Sequence, residues 1–277
     1  MAPVPAHPHP VMDYREVPPP AGLRHLIHCF WFLRGAGEAG ETQTLVPDGR
    51  SEIVIHLRQP FALVDERGAA RPQASVLAAG QLLGPLTLAP SADADVIGIR
   101  FRTDAASAVL GGALEEVTGL VAPLSEVKPG LEGALRDAAA RERTPEARAR
   151  ALSRALARVT SDGPTPLVRG AVAALENPAG RIRELARGLG TTARTLERRV
   201  RDATGLSPRA LRAVLRFRRV FRRLDRSPAG SWARVAVESG YYDQAHMIRE
   251  FRRFAGVAPG RFFGREASLA LTFAAGD

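Results

Sequence analysis

The feature of this sequence that most constrains its fold is a short pattern that occurs twice near the C-terminal end. Leu185-Ala186 and Gly190 in the first copy correspond to Val235-Ala236 and Gly240 in the second, at an offset of 50 residues. Four further positions recur at an offset of 51 residues: Leu196 and Met247, Val200 and Phe251, Gly205 and Gly256, Pro208 and Pro259. Each copy is predicted to form a short helix, a tight glycine turn and a second helix that ends at a glycine. This is the layout of a helix-turn-helix unit, whose second helix enters the major groove of DNA.

The positive charge of the chain is concentrated in the part that holds the repeat. The net charge is +10, and it divides into −2 for residues 1–163 (17 Lys and Arg, 19 Asp and Glu) and +12 for residues 164–277 (22 and 10). A composition that favours arginine does not explain why acidic residues fail to balance in one half only. The excess predicts a partner with dense negative charge, either nucleic acid or an anionic membrane surface. The repeat favours DNA, because non-specific binding does not need two units in register.

The residues around the repeat also resemble a known family. The stretches Glu184–Gly190, Leu196–Pro208, Ser239–Gln244 and Phe251–Pro259 are similar to the C-terminal DNA-binding domain of AraC/XylS-type bacterial transcription regulators. The resemblance covers residues from about 165 to 264. It implies seven helices, with two recognition helices in successive major grooves of promoter DNA, and therefore a sequence-specific transcriptional regulator.

The resemblance also implies a role for individual residues by their position. Four residues would face the first groove: Arg194, Thr195, Glu197 and Arg198. Three would face the second: Gln244, His246 and Arg249. Arginine pairs with guanine, glutamine with adenine and glutamate with cytosine. Three arginines are better placed to neutralise phosphates: Arg201, Arg252 and Arg253. Each arginine taken alone is equally compatible with a solvated surface charge, so the prediction depends on the set.

The N-terminal half has the pattern of a small β domain. Short β-prone runs recur from Leu23 to about Phe101: His28–Leu33, Ser51–Leu57, Phe61–Val64, Ser75–Ala79, Leu86–Ala89 and Val96–Phe101. Four stretches carry a resemblance to a known domain: Asp13-Tyr14, Phe30–Phe32, Pro47–Ile53 and Gly98–Phe101. They are similar to an uncharacterised sensor-like domain found ahead of the same DNA-binding domain in many bacterial regulators. The resemblance implies a cupin-like β-barrel that can enclose one small ligand. Trp31 and Phe32 are candidates to line that pocket, although strand alternation buries one of them in the core.

The predicted fold class is therefore α+β, with a small N-terminal β-barrel and short helices before an all-α domain with two helix-turn-helix units. We expect an extended proline-rich tail (1–20), a β-rich sensor-like domain (21–160), a linker (161–166), the double helix-turn-helix domain (167–264) and a second tail (265–277). An apolar stripe of Leu152, Leu156 and Val159 either packs onto the barrel, which we favour, or mediates formation of a homodimer.

Several functions find no support in the sequence. The single cysteine, Cys29, cannot form an internal disulfide, and the scattered histidines are not expected to bind a metal. No cofactor, no enzymatic activity, no membrane span and no secretory signal are expected, and a reducing cytoplasm fits. A small-molecule effector and RNA polymerase are further partners left open. The alternatives are non-specific binding of nucleic acid or an anionic surface, and a regulator with an unrecognised enzymatic N-terminal domain.

Overall fold

The computed structural model describes residues 13–35, 42–160, 162–177, 180–225 and 231–265. Its N-terminal domain holds ten strands within these ranges: β1 (Asp13–Val17), β2 (Ile27–Gly35), β3 (Gln43–Leu45), β4 (Glu52–His56), β5 (Ala62–Val64), β6 (Ala70–Pro72), β7 (Val76–Ala79), β8 (Leu86–Ala89), β9 (Ala94–Phe101) and β10 (Val121–Pro123). Residues 13–17, which the sequence analysis assigned to the N-terminal tail, are thus part of the domain, because β1 pairs along its full length with β2.

The strands form two antiparallel sheets. One has six strands in the order β1-β2-β9-β4-β7-β10, and the other has four in the order β3-β8-β5-β6. No strand pairing joins the two sheets within the described residues, so the domain is a sandwich of two sheets and not a closed barrel. The α+β class is confirmed, with a β-rich N-terminal part and a helical C-terminal part.

The two faces of β2 have different neighbours, which follows from strand alternation. Phe30 and Phe32 face a core formed with helices, whereas Trp31 and Leu33 belong to a smaller core between the two sheets. Trp31 lies opposite Gly98 of β9, and a Cβ at that position would collide with the indole ring. Glycine at 98 therefore lets the indole lie flat across the sheet.

Four α-helices complete the N-terminal domain within the described residues: α1 (Ser107–Leu110), α2 (Leu124–Val127), α3 (Leu131–Ala140) and α4 (Pro145–Leu156). Thr144 caps α4, since its side chain accepts a hydrogen bond from the amide of Ala147 at 3.3 Å. Leu152 and Leu156 are fully buried against the six-stranded sheet and its helices. They are therefore not available for self-association, and of the predicted stripe only Val159, which is 37% exposed, faces solvent.

The C-terminal domain consists of seven helices in the described residues: α5 (Pro166–Leu175), α6 (Ile182–Gly188), α7 (Ala193–Thr204), α8 (Pro208–Asp225), α9 (Trp232–Ser239), α10 (Gln244–Ala255) and α11 (Pro259–Arg265). One hydrophobic core contains buried residues from all seven. Both helix-turn-helix units therefore belong to a single packed body. Residues 1–12 and 266–277, which include His7 and His9 and most of the second tail, lie outside the described residues.

Candidate functional site

The first helix-turn-helix unit consists of α6 and α7. Gly190 turns the chain with a φ of +67°, a value that favours glycine. Thr192 then caps α7, because its hydroxyl oxygen accepts a hydrogen bond from the amide of Thr195 at 3.1 Å. Ala186 of α6 is 1% exposed, and its small side chain allows the two helices to cross closely. These local features fix the direction in which α7 leaves the turn.

The solvent face of α7 carries the residues predicted for the first groove. Leu196 and Val200 are fully buried in the core, whereas Arg194, Glu197 and Arg198 are exposed. Neither Arg194 nor Arg198 takes part in an ion pair within the described part of the chain. Their guanidinium groups are therefore available to an incoming polyanion.

Three of the predicted residues on α7, Thr195, Glu197 and Arg201, already have local partners. The hydroxyl groups of Thr192 and Thr195 lie 3.0 Å apart, so Thr195 contributes to the cap of its own helix. Arg201 donates to Glu197 at 3.1 Å and also lies 3.8 Å from the carboxylate of Glu115 in the N-terminal domain. DNA would have to compete with these carboxylates for Arg201.

The second unit repeats the arrangement with α9 and α10. Gly240 has a φ of +90°, and Asp243 caps α10 by accepting from the amide of His246 at 2.6 Å. Met247 and Phe251 are fully buried, at the positions that Leu196 and Val200 occupy in α7. The two longer helices are therefore mounted on the core in equivalent ways.

The predicted residues of α10 differ in how freely they face solvent. Gln244, Arg249 and Arg252 are exposed, and neither arginine is in an ion pair among the described residues. Arg253 is exposed but stacks over the ring of Phe254, 4.5 Å from its centroid. His246 is half-buried, with its ring edge-on to that of Tyr241 at 5.2 Å.

One exposed residue at this surface escaped the sequence analysis. Tyr242 is 90% exposed and lies directly before the cap of α10. Such exposure is unusual for an aromatic side chain. The only signal in the sequence was the pair Tyr241-Tyr242, and the pair does not indicate which ring is buried.

The N-terminal domain contains a cavity between its two sheets. The space in which the centre of a water molecule can move is about 100 Å³, well above the roughly 10–15 Å³ that one water needs. Trp31 lines this cavity, whereas Phe32 does not, because it lies on the opposite face of β2. The prediction for Phe32 is therefore wrong, and strand alternation is the reason.

A buried arginine holds acidic side chains at one wall of the cavity. Arg100 is 1% exposed, and its Nε lies 2.5 Å from Glu52 and 4.0 Å from Asp48. Burial acts to lower the pKa of Arg100, but Glu52 and Asp48 raise it above its usual value, so the guanidinium stays charged. Trp31 donates its indole N–H to Glu52 at 3.2 Å, which fixes the ring at the cavity wall.

His56 is the most unusual polar group of the cavity. It is 4% exposed, and neither ring nitrogen has a hydrogen-bond partner of good geometry among the described residues. Burial lowers the pKa of His56 to about 4, and the nearby amide of Gln73 opposes that shift only in part. The imidazole is therefore neutral near pH 7. The sequence analysis counted His56 only among the scattered histidines that are not expected to bind a metal.

The buried imidazole makes the stability of the domain depend on pH. Because its pKa falls from 6.5 to about 4 on folding, the unfolded chain binds a proton between these values that the folded chain does not. We expect this group to lower the free energy of unfolding by about 3 kcal/mol between pH 7 and pH 4. Urea unfolding at both pH values measures the loss, which should be smaller by that amount in His56→Leu. A parallel loss in both proteins would contradict the assignment.

The described residues contain neither a metal cluster nor a membrane-spanning helix. No cluster of three or more His, Cys, Asp or Glu side chains there could hold a metal ion. In the same part of the chain, no helix has the length and apolar character needed to cross a membrane.

Comparison with known protein families matches both halves of the chain. Residues 185–265 match the family described as helix-turn-helix domain, and residues 15–123 match a domain of unknown function, DUF6597. The second match begins within β1 and ends at β10, so it spans both sheets. No curated protein shows significant sequence similarity to the chain.

Three solved structures match the chain, or part of it, at low sequence identity. ToxT from Vibrio cholerae is 11% identical with a TM-score of 0.49, covering 86% of this chain and 99% of its own. The C-terminal domain of AraT, a response regulator from Geobacillus stearothermophilus, is 22% identical with a TM-score of 0.35, covering 38% and 91%. A DNA-binding transcriptional dual regulator from Escherichia coli K-12 is 23% identical with a TM-score of 0.33, covering 38% and 96%.

The match over residues 185–265 includes both capped units described above. The predicted resemblance is confirmed: the C-terminal domain is an AraC-type helix-turn-helix domain, of the kind carried by DNA-binding transcription regulators. It follows the β-rich domain, which matches a different family, DUF6597.

Proposed function

We propose that this chain, with its AraC-type helix-turn-helix domain, is a sequence-specific transcriptional regulator that places α7 and α10 in successive major grooves of promoter DNA. The observation that carries the proposal is the equivalence of the two helices. Each is capped at its start by a threonine or aspartate, exposes arginines on one face and is anchored by its other face in the same core. Arginines that only face water would not need two helices with the same cap, the same exposed face and the same anchoring in the core.

The spacing of the two units supports simultaneous binding. The connecting helix α8 has 18 residues, which corresponds to about 27 Å at 1.5 Å per residue. Together with the packing of the flanking helices, this approaches the ~34 Å of one turn of DNA. Arg194, Arg198 and Arg249 are the best candidates for base contacts, because they are exposed and form no ion pair with a carboxylate among the described residues.

Selection from a random-sequence DNA pool tests the proposal against non-specific binding. Sequence-specific binding should enrich sites with two conserved blocks about 10 base pairs apart. The enriched sites should be bound at least 10³-fold more tightly than scrambled DNA at the same salt concentration. Binding without enrichment, which weakens equally for all sequences as salt rises, would instead establish the non-specific alternative.

The N-terminal domain contacts the helical domain at the connecting helix. The side chain of Arg218 on α8 donates to the carbonyl of Asp48 at 3.3 Å, and Gly49 lies against Leu215. Val46 is buried in the core of the helical domain. Because Val46, Asp48 and Arg50 also line the cavity, a molecule that enters it would press on the segment that touches α8. This supports effector sensing through a change in how the two domains fit together.

The N-terminal domain also contacts the ends of both recognition helices. Thr118 donates its hydroxyl to the carbonyl of Gly205, at the end of α7, at 3.2 Å. Pro85 lies against Gly256, at the end of α10. The position of the sensor-like domain is thus linked to both helices that would enter the DNA.

Two glycines that occupy equivalent positions provide a matched test of this contact. Gly205 and Gly256 have φ values of +76° and +75°, so alanine carries the same backbone penalty of about 1–2 kcal/mol at either position. A Cβ at Gly205 would collide with Thr118, whereas one at Gly256 would be at an ordinary 3.5 Å from Pro85. We expect Gly205→Ala to speed proteolysis of residues 157–165 several-fold relative to Gly256→Ala. Equal cleavage rates would show that the contact does not hold the domains together.

A further inference from the structure

The cavity between the two sheets has the composition of a site for a mainly apolar molecule. Most of its lining is aliphatic or aromatic, with Trp31, Phe61, Leu77 and Leu88 among the larger side chains. The indole of Trp31 is held in place by the glycine beneath it and by its hydrogen bond to Glu52. A fixed, flat wall of this kind favours contact with a planar group.

Two polar side chains of this lining, the amide oxygen of Gln43 and the imidazole of His56, have no hydrogen bond of good geometry within the described residues. Of these groups, the imidazole can both donate and accept. A neutral imidazole carries one N–H donor and one acceptor nitrogen, and both are desolvated in His56. A buried polar group without a hydrogen bond carries a desolvation penalty that no contact offsets. A hydroxyl or carbonyl group in the cavity would relieve that penalty.

The charges of the lining leave no excess to hold an ion. Arg50 and Arg100 are matched by Asp48 and Glu52, and His56 is neutral near pH 7. Arg100 is engaged with Glu52 at 2.5 Å and lies 3.6 Å from Glu16. An ionised ligand would lose its hydration without gaining a counter-charge, which is strongly unfavourable.

We propose that this cavity binds a small, uncharged, mainly apolar molecule, of the size of one substituted aromatic ring, whose single hydroxyl or carbonyl group hydrogen-bonds to His56. The proposal rests on effector sensing by the N-terminal domain and specifies the chemical class of the effector. Trp31 provides the planar wall, and the balanced lining excludes anions and cations of the same size.

A series of probes that differ only in charge tests the proposal. Benzyl alcohol, benzoate and benzylammonium match in size, and toluene lacks the polar group. In the full chain with Trp232→Phe, Trp31 is the one remaining tryptophan, and its emission reports binding. We expect benzyl alcohol to saturate the change in emission at a concentration at least tenfold below that for either ion. Equal affinity for benzoate or benzylammonium, or no saturable binding of benzyl alcohol, would overturn the proposal.

Two variants test the role of His56. His56→Leu should lower the affinity for benzyl alcohol about two- to tenfold, the value of one hydrogen bond, and leave that for toluene unchanged. His56→Asn, which retains a donor and an acceptor, should recover most of the loss. An equal loss for toluene would assign His56 to packing. If a variant does not fold, the comparison of benzyl alcohol, benzoate and benzylammonium on the protein with His56 intact still tests the proposal.

DNA selection on the same preparation separates this proposal from the proposed function. DNA binding without probe binding would overturn only the ligand class.

Discussion

Replacing Arg194 and Arg249 together with alanine should nearly abolish the preference for specific DNA. Both side chains are exposed on the outer faces of α7 and α10, and neither forms an ion pair within the described residues. Loss of one bidentate contact to guanine costs about 1–3 kcal/mol. Because the two sites lie on different helices and share no partner, the losses should add to about 2–6 kcal/mol. Non-specific affinity should fall much less.

Fluorescence anisotropy with the selected site and with a scrambled site measures the two affinities separately. Each single substitution should relax the sequence preference in only one of the two blocks. Arg141→Ala is a suitable control. The substitution also removes one positive charge, and the Arg141 side chain is 79% exposed on the N-terminal domain. A similar loss in the control, or an unchanged ratio of specific to scrambled binding in the double variant, would contradict the assignment of the grooves.

The helical domain could be predicted closely from the sequence because its signals are local. The spacing of apolar residues and the caps at Thr192 and Asp243 lie within a few residues of the helices they define. The repeat places the end of the second helix at Gly205, and α7 ends at Thr204. The glycines that end the helices mark boundaries equally well. The helix α11 was implied only by the resemblance, since a short helix gives little periodicity.

The sheet order could not be predicted from the sequence, because strand pairing is not local. β9 lies between β2 and β4, although many residues and four other strands separate it from β4 along the chain. Three-residue strands such as β3 and β6 are too short to show alternation. β1 was missed because prolines on both sides suggested a tail, whereas its pairing with β2 decides its structure.

The cavity also could not be predicted from the sequence, although individual residues gave partial indications of it. Strand alternation predicts that Trp31 and Phe32 face opposite sides, but not which side encloses a space. His56 interrupts the apolar run of β4, which indicated a polar group at a buried position. Its surroundings are set by Phe61, directly before β5, and by Gln73, directly after β6, which approach from the other sheet.

The contact between domains gives Arg201 a role that its position in the repeat does not predict. It was assigned to a phosphate, and in the structure it is shared between Glu197 and Glu115. Both pairs are well exposed, so each contributes little to stability. Their effect is instead to offer a carboxylate where a phosphate would bind. In the proposed complex, the N-terminal domain and a DNA phosphate would therefore compete for the guanidinium of Arg201.

Phe217→Ala should destabilise the helical domain by about 3–5 kcal/mol, because this fully buried ring lies at the centre of an aromatic cluster. Its centroid is 5.0–5.1 Å from those of Phe221, Phe251 and Phe254. The ring joins the connecting helix to α10, so its loss should also weaken specific DNA binding. Urea unfolding measures the first effect and anisotropy the second.

The conservative change Phe217→Leu separates packing from a general loss of the fold. It keeps most of the buried volume, so it should cost less than half as much stability and preserve the preference for the selected site. If Phe217→Ala instead unfolds the helical domain while Phe217→Leu binds DNA normally, the ring acts only through stability. If Phe217→Ala remains folded and binds with full specificity, the two recognition helices do not depend on this core for their relative orientation.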